Sequence, residues 1–309
     1  KHLYLFTLIT ILFATNSNVL DYINQSTWTE QCQNEKRGSP INIISKNVTA
    51  DVEELSIEFI HYPDLLKNPI KEIFHEKTFM IGYEQVVNNY VLLRKGESIY
   101  KFTFVNAHYH CPSEHSVDGV EPSCEMHLVH QRLVYETDSD IMNYLVIGIF
   151  FNEKTGVTNP LLNIKTNIDL SSILNVNREY YFYEGGLTTP PCSETVNWLI
   201  MKDAQFASAL EIQALKEWIS TYYSYNIGND REIQEVNNRP VQLVSYDFTS
   251  AQKNYMSSSY LRISFLLVFI LEHFCISKPS KKHIDYFHEV AFFKNDSNQK
   301  LPQLEQIFD

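Results

Sequence analysis

Hydrophobic positions along this chain fall into short runs of β-branched and aromatic residues, which is the pattern of β-strands. Such runs occupy Leu55–Ile60, 79–83, 91–93, 100–104 and 145–151. Polar turn signals separate them, such as Arg-Lys-Gly at 94–96. One stretch, 204–222, has apolar residues at helical spacing instead. The pattern predicts a mainly β fold: a single domain with a central, largely antiparallel twisted sheet and peripheral short helices.

Two of the predicted strands carry histidines at informative spacings. Residues 107–110 read Ala-His-Tyr-His, and 125–127 read Glu-Met-His. Because successive side chains of a strand alternate between its faces, His108 and His110 point the same way. If the strand around 124–128 lies beside the first, His127 completes a cluster of three imidazoles. Such a cluster suits a catalytic zinc ion, which takes three protein ligands and keeps one open position.

The residues beside these histidines support the metal hypothesis over that of ordinary core histidines. Glu125 lies two residues before His127 and therefore shares its face. Its carboxylate can accept a hydrogen bond from the ring N–H that does not face the metal, which fixes the tautomer of the ligand. Asn106 has the same offset from His108.

A loop rich in glycine and proline supplies a candidate hydroxyl. Residues 185–191 read Gly-Gly-Leu-Thr-Thr-Pro-Pro, which on its own would be a plain turn. If the hydroxyl of Thr188 donates to a buried carboxylate, it must accept a hydrogen bond from its other neighbour. With Glu114 as that carboxylate, Thr188 would orient a zinc-bound hydroxide.

Together these residues resemble an alpha-class carbonic anhydrase over about 20–245. The matching motifs stand in the family's order: Ser39-Pro40-Ile41-Asn42-Ile43, then 108–119 from His108 to Gly119, then Glu125-Met126-His127-Leu128-Val129-His130, then Leu187-Thr188-Thr189-Pro190-Pro191 with Trp198, and finally Asn237-Asn238-Arg239-Pro240-Val241-Gln242. Jointly they are far more specific than any one of them.

The resemblance implies an enzyme that reversibly hydrates carbon dioxide to bicarbonate and a proton, by attack of zinc hydroxide. It implies His108, His110 and His127 as ligands of Zn²⁺, Asn106 and Glu125 behind them, and Thr188 and Glu114 as catalytic residues. It further implies a carbon dioxide pocket formed by Val129, Val146, Leu187, Thr189, Val196 and Trp198. Tyr22 and Tyr183 match tyrosines near the water network.

The chain departs from the family at two positions. Fast members carry a proton-shuttle histidine where this chain has Lys77, and a lysine with a pKa of about 10.4 is a poor relay at neutral pH. His75 and Tyr22 remain candidate relays, although an exposed role for His75 is the simpler interpretation. Gly38 stands where the family usually has Gln, so the bonds of that Gln must be lost or replaced.

Composition and charge restrict the partners. The 309 residues are 44% hydrophobic and carry a net charge of −12, without a basic stripe to neutralise phosphates, which argues against nucleic acid. Carbon dioxide and bicarbonate are the expected small-molecule partners. Two alternative functions are a catalytically weak cell-surface binding module of the carbonic-anhydrase-related type and a zinc esterase.

The cysteines predict one disulfide and leave a second open. Secreted members of the family join cysteines at the positions of Cys32 and Cys192, so the resemblance implies that bond. If His108 faces His127 in an antiparallel pair, Cys111 and Cys124 stand directly opposite each other. They then form either a second bridge or two buried thiols.

The two ends of the chain suggest how the protein is exported and anchored. Residues 1–18 have a basic start, a short apolar run and small polar residues, as in a signal peptide, and sequons begin at Asn24 and Asn47. After the catalytic domain (20–248) come a polar linker (249–259), a hydrophobic segment (260–276) and a tail (277–309) with lysines at its start. The hydrophobic segment predicts that residues 260–276 enter the membrane as a transmembrane anchor and hold the enzyme at the cell surface. The alternatives are a lipid anchor, an amphipathic core helix and a freely secreted protein.

Overall fold

The computed structural model describes residues 20–50, 55–60, 71–75, 78–82, 90–132, 142–163, 178–221 and 228–246. The chain divides into two units, Lys1–Asp247 and Phe248–Asp309, and every described residue belongs to the first. The predicted signal peptide (1–18), linker (249–259), anchor (260–276) and tail (277–309) all lie outside the described residues.

Most of the described elements are strands, as the sequence pattern predicts. They are β1 (Asn42–Ile43), β2 (Thr49–Ala50), β3 (Leu55–Ile60), β4 (Lys71–His75), β5 (Thr78–Gly82), β6 (Tyr90–Lys95), β7 (Ser98–His110), β8 (Ser116–Val117), β9 (Cys124–Arg132), β10 (Tyr144–Glu153), β11 (Arg178–Gly185), β12 (Val196–Met201), β13 (Gln205–Ala207) and β14 (Gln242–Tyr246). Two α-helices accompany them, α1 (Glu30–Gln33) and α2 (Ala209–Ser220), with 3₁₀ turns at Gln25–Thr27, Ser45–Asn47 and Pro160–Leu162.

Ten strands form one large sheet in the order β2-β14-β11-β12-β10-β9-β7-β6-β3, with β13 also paired to β10. Most neighbours are antiparallel, and the parallel pairs are β10 with β12, β10 with β13, and β14 with β2. The far strands approach each other, since the ring of Phe59 on β3 lies 4.9 Å from that of Tyr246 on β14. The mainly β fold with a twisted, largely antiparallel sheet is confirmed.

The centre of the sheet is buried on both faces, which explains its continuous hydrophobic runs. All six residues of β12 are buried, and so are 145–151 of β10. Ile41, Phe150 and Trp198 belong to a core cluster on one side of these strands. Of the two histidine strands, β9 pairs directly with β10 and β7 pairs with β9, so the site is built on well-packed elements.

The helix predicted over 204–222 is shorter than expected. Gln205–Ala207 instead pairs as β13 with Phe151–Glu153 of β10. Helix α2 begins after Ser208, whose hydroxyl accepts from the backbone N–H of Glu211 while the Glu211 carboxylate accepts from the backbone N–H of Ser208. This reciprocal capping box fixes the start of the helix. The prediction missed the boundary because apolar spacing alone does not locate a cap.

The prediction of a cell-surface protein anchored by a transmembrane helix is wrong. In the described part of the chain no helix is long and apolar enough to cross a membrane. The longest one there, α2, has 12 residues, about 18 Å at 1.5 Å per residue against a hydrocarbon core of about 30 Å. The segment 260–276, on which the prediction rested, is not among the described residues.

Candidate metal centre

Three histidines converge where β7 meets β9. The antiparallel register pairs His108 with His127 and His110 with Glu125, so all four side chains share one face. A β-bulge between Phe104 and Asn106 shifts the register just before the histidines. The imidazole centroids lie 5.1 Å (His108–His110), 5.2 Å (His108–His127) and 4.7 Å (His110–His127) apart. One ring nitrogen from each lies within 4.8 Å of the other two, which is close enough to share one metal ion.

The outward ring nitrogen of each histidine has a hydrogen-bond acceptor. His108 Nδ1 lies 2.9 Å from Asn106 Oδ1, His110 Nδ1 lies 2.7 Å from the backbone oxygen of Asn229, and His127 Nε2 lies 2.8 Å from Glu125 Oε1. Because these oxygens accept, the ring protons point outward and a lone pair on each ring points inward. The inward atom of His110, Nε2, is buried and has no hydrogen-bond partner among the described residues.

The local environment favours the neutral form of two of the ligands, His108 and His110. Burial, then the neighbouring His110 and His127, lower the pKa of His108 well below its usual range. Burial also lowers the pKa of His110 to about 3, with a further contribution from His127. Neutral imidazole is the form that binds a metal, so the donor set, its tautomers and the orphaned His110 nitrogen fit a zinc ion.

Glu125 anchors the back of this cluster. Its Oε1 accepts from His127 Nε2 and, at 2.9 Å, from His115 Nδ1, while its Oε2 accepts from the backbone N–H groups of Glu114 (3.0 Å) and His115 (2.9 Å). Burial acts to raise its pKa, but the charges and hydrogen bonds of His115 and His127 outweigh burial and hold the pKa well below the usual range. His115, Glu125 and His127 also lie close enough to form a second metal group, yet their facing atoms already bond one another.

The space for the Glu125 carboxylate depends on a glycine of β10. Gly148 pairs with His127, and a Cβ at position 148 would lie 2.6 Å from Glu125 Oε1 and 2.7 Å from Ile200 Cδ1. Real Cβ atoms do not approach so closely, so any side chain at position 148 forces the carboxylate or its neighbours to move.

Thr188 and Glu114 lie next to the triad. Both are buried, and Glu114 Oε1 accepts from the backbone N–H of Arg231 at 3.1 Å. Burial raises the pKa of Glu114 well above its usual range, and the hydroxyl of Thr188 opposes this shift by bonding to the carboxylate. Glu114 Oε2 has no well-aligned hydrogen-bond partner within the described part of the chain, and lies 3.9 Å from His127 Nδ1.

The triad opens into a cavity of about 440 Å³. Of the residues predicted to form the substrate pocket, five line it: Val129, Val146, Leu187, Thr189 and Trp198. Val196 differs from the prediction, because it is fully buried in the core cluster and its β10 partner Tyr144 lines the cavity instead. Gln131, Asn143, Ser193 and Thr195 add polar groups to the wall.

The predicted proton relays are only partly described. Tyr22 lines the cavity and packs edge-on against Trp28, with ring centroids 5.5 Å apart. His75 is the last residue of β4, and its side chain is not described; Lys77 is outside the described residues.

Two disulfides join the segments around the cavity. Cys32 is bonded to Cys192, directly after the Thr-Thr-Pro-Pro loop, as the resemblance implied. Cys111 is bonded to Cys124, which resolves the alternative left open by the sequence in favour of a second bridge. The pairing of His108 with His127 places these two cysteines opposite each other at the end of the ladder.

Several residues of the site were missed by sequence reasoning. Asn229 orients His110 from 119 residues away, and its Oδ1 also accepts from the backbone N–H of Cys111 at 3.0 Å. His115 links Glu125 to the hydroxyl of Tyr183, with Nε2 at 2.6 Å from that oxygen. The position of His115 beside Glu114 was a usable signal for its role, whereas nothing in the sequence ties Asn229 to His110.

Comparison with known proteins gives one family. A family model described as eukaryotic-type carbonic anhydrase matches residues 23–245, which is more than half of the chain. Carbonic anhydrase Nec1 of Nesocodon mauritianus is 27% identical over 230 residues, which cover 69% of this chain and 76% of that protein. Carbonic anhydrase 3 of Homo sapiens is 33% identical over 154 residues, which cover 42% of this chain and 58% of that protein.

Solved structures give the same result. Carbonic anhydrase Cah3 from Chlamydomonas reinhardtii, in complex with acetazolamide, superposes with a TM-score of 0.57 at 25% identity, over 71% of this chain and 94% of that one. The alpha-carbonic anhydrase from Thermovibrio ammonificans, in complex with sulfanilamide, superposes with a TM-score of 0.52 at 26% identity, over 67% of this chain and 87% of that one.

Proposed function

Because the chain belongs to the eukaryotic-type carbonic anhydrase family, we propose that it hydrates carbon dioxide reversibly at a zinc ion held by His108, His110 and His127. The chain is an enzyme of the carbonic anhydrase type. The observation that carries the zinc proposal is the triad: three ring nitrogens within 4.8 Å, each with its opposite nitrogen bonded outward. Zinc, when bound, lowers the pKa of its water to about 7 and so supplies a nucleophile at neutral pH.

The residues around the triad set the electronic state of the ligands. Glu125 and Asn106 accept hydrogen bonds from the outward ring N–H groups of His127 and His108. The backbone oxygen of Asn229 does the same for His110. These acceptors hold each ring in one orientation and make its inward nitrogen more basic, which strengthens metal binding. Imidazole binds a metal in its neutral form and so leaves the charge of the cation undiminished.

Thr188 is proposed to orient the nucleophile through Glu114. An ionised carboxylate only accepts, so Glu114 accepts a hydrogen bond from the Thr188 hydroxyl, and that hydroxyl must then accept a hydrogen bond from a group in the cavity. Burial, followed by the charges of Glu125 and Asp230, raises the pKa of Glu114, whereas a divalent cation at the triad favours the charged carboxylate. The orienting contact is therefore expected to be complete only when the metal site is loaded.

The substrate is proposed to lie against Val129, Val146, Leu187 and Trp198. Carbon dioxide has no hydrogen atom to donate, so an apolar wall binds it without leaving polar groups unpaired. The backbone N–H of Thr188 is the candidate donor to an oxygen of bicarbonate. A carbonic-anhydrase-related binding module finds no support, because such a protein would not need to retain the complete triad together with Thr188 and Glu114.

The proposal is tested by carbon dioxide hydration and zinc content of the full chain. His127→Gln should remove both bound zinc and activity, and a chelator should reversibly remove activity from the wild type. His130→Gln is the matched control: the same substitution on β9, three residues along and thus on the opposite face. It should keep one zinc per chain and keep its turnover. Acetazolamide should inhibit the wild type. Full activity in metal-free protein, or equal zinc content in both variants, contradicts the proposal.

A further inference from the structure

A buried ion pair that the reaction does not use lies behind the site. Arg231 Nη2 is 2.5 Å from Glu35 Oε2, and the two side chains are only 3% and 2% exposed. Removing two charges from water is costly unless further hydrogen bonds satisfy them. Arg231 makes such bonds, because its Nη1 donates to the backbone oxygen of Ser39 at 2.7 Å and its Nη2 to that of Cys32 at 2.9 Å.

The same residue reaches the catalytic carboxylate through its main chain. The backbone N–H of Arg231 donates to Glu114 Oε1 at 3.1 Å. Ser39, held by the guanidinium, uses its Oγ to accept from the backbone N–H of Gly186 at 3.1 Å, two residues before Thr188. The ion pair therefore connects the two segments that place Glu114 and Thr188 against each other.

Glu35 also lies beside the departure at position 38, together with Gln234, whose Cγ is 3.0 Å from a Cβ placed on Gly38. A Cβ on Gly38 would lie 3.0 Å from Glu35 Oε2, and a Cβ on Gly186 would lie 3.0 Å from Glu35 Oε1. The Glu35 carboxylate thus lies between two glycines, in space next to the position where relatives carry the side chain of Gln. A side chain at position 38 and the present orientation of Glu35 compete for the same volume.

We propose that Glu35 and Arg231 are positioning residues that hold Glu114 and Thr188 in their working geometry. The proposal rests on the proposed function of Glu114 and Thr188. Every substitution of Arg231 except proline keeps its backbone N–H, so a catalytic loss in a side-chain variant reports displacement of that N–H rather than its removal. Displacements of about 1 Å at a catalytic group can cost up to about 100-fold in rate.

The test compares Glu35→Gln and Arg231→Lys with a control of similar stability loss. Glu35→Gln keeps the shape of the side chain and removes its negative charge. Arg231→Lys keeps the positive charge but loses the three hydrogen bonds that the guanidinium group makes. Leu215→Ala, in the buried face of α2, is the control that loosens the core away from the ion pair. In zinc-loaded protein, at a concentration of imidazole-type buffer high enough that proton release does not limit turnover, we expect kcat to fall about tenfold in both ion-pair variants with KM unchanged, because the apolar wall is untouched. Leu215→Ala should keep kcat.

A second measurement does not depend on zinc. In metal-free protein, hydrogen exchange of the Arg231 amide should become about tenfold faster in Glu35→Gln than in the wild type, and stay unchanged in Leu215→Ala. If Glu35 acts through Arg231, the double variant Glu35→Gln with Arg231→Lys should lose no more kcat than the worse single variant.

The outcomes separate this proposal from the proposed function. An inactive zinc-loaded wild type contradicts the function itself. If the wild type is active and both ion-pair variants keep its kcat and amide exchange while losing stability, the pair is structural only and the proposal is overturned. Additive losses in the double variant would also overturn it, since the two side chains would then act independently.

Discussion

A single methyl group at Gly148 should weaken zinc binding without touching a ligand. In Gly148→Ala the new Cβ falls 2.6 Å from Glu125 Oε1 and 2.7 Å from Ile200 Cδ1. The oxygen that must move is the one that accepts from both His127 and His115. The carboxylate cannot simply turn, because Oε2 is held by two backbone N–H groups.

The magnitude follows from the bonds at risk. A hydrogen bond to a charged group contributes about 1.5–3 kcal/mol, and overpacking a core costs about 1–3 kcal/mol. Since the two bonds share one oxygen and do not add, we expect a loss of about 3 kcal/mol in the free energy of unfolding of the metal-free protein. Loss of the carboxylate behind a ligand lowers metal affinity about 10- to 100-fold.

The assay combines urea denaturation of the metal-free protein with zinc titration against a competing chelator. Gly156→Ala is the control, because no atom lies within 4 Å of its new Cβ and its φ of +77° costs only backbone strain. It should lose about 1 kcal/mol and keep its zinc affinity. If Gly148→Ala binds zinc within twofold of the wild type and unfolds at the same urea concentration, the role assigned to Glu125 is refuted.

Three further predictions concern the disulfides, pH and proton release. Replacing Cys32 and Cys192 by Ser should lower the free energy of unfolding by about 2–5 kcal/mol, measured by urea denaturation, because the bond closes a loop of 160 residues. Burial raises the pKa of Asp230 to about 6, so its carboxyl favours the folded state at low pH and loses that stabilisation as the pH rises towards 6. Asp230→Asn should thus gain about 1–2 kcal/mol above pH 6, after allowance for solvent screening, and nothing below pH 4. With Lys77 in place of a shuttle histidine, kcat should rise with the concentration of an imidazole-type buffer; a turnover that ignores buffer concentration contradicts this.

Local rules predicted the parts of this protein that depend on neighbours in sequence. The strands around 55–60, 91–93 and 145–151 follow from their apolar runs. The two-residue offsets of His108 from His110 and of Glu125 from His127 placed each pair on one face. Once His108 is set opposite His127, the antiparallel register places Cys111 opposite Cys124, and the structure then shows that the two are bonded.

Local rules could not predict the contacts between segments that are distant in sequence. Residues 205–207 have helical spacing but pair with β10, because an open strand edge offers hydrogen bonds that a frayed helix end does not. Val196 has an apolar side chain, as expected of the pocket wall, but is enclosed in the core. The space beside Gly38 is filled by Gln234 and Glu35, and Glu35 is paired with Arg231, 196 residues away.

The sequence by itself determined the chemical groups of this site: three imidazoles, the acceptors of two of them, a hydroxyl and a carboxylate, in strands whose alternation is a property of the backbone. The tertiary structure alone decided how these groups are held, through Asn229, Arg231 and the empty space at Gly148. Alternation depends on dihedral angles that neighbouring residues fix, whereas the approach of distant segments depends on the summed packing of a ten-stranded sheet.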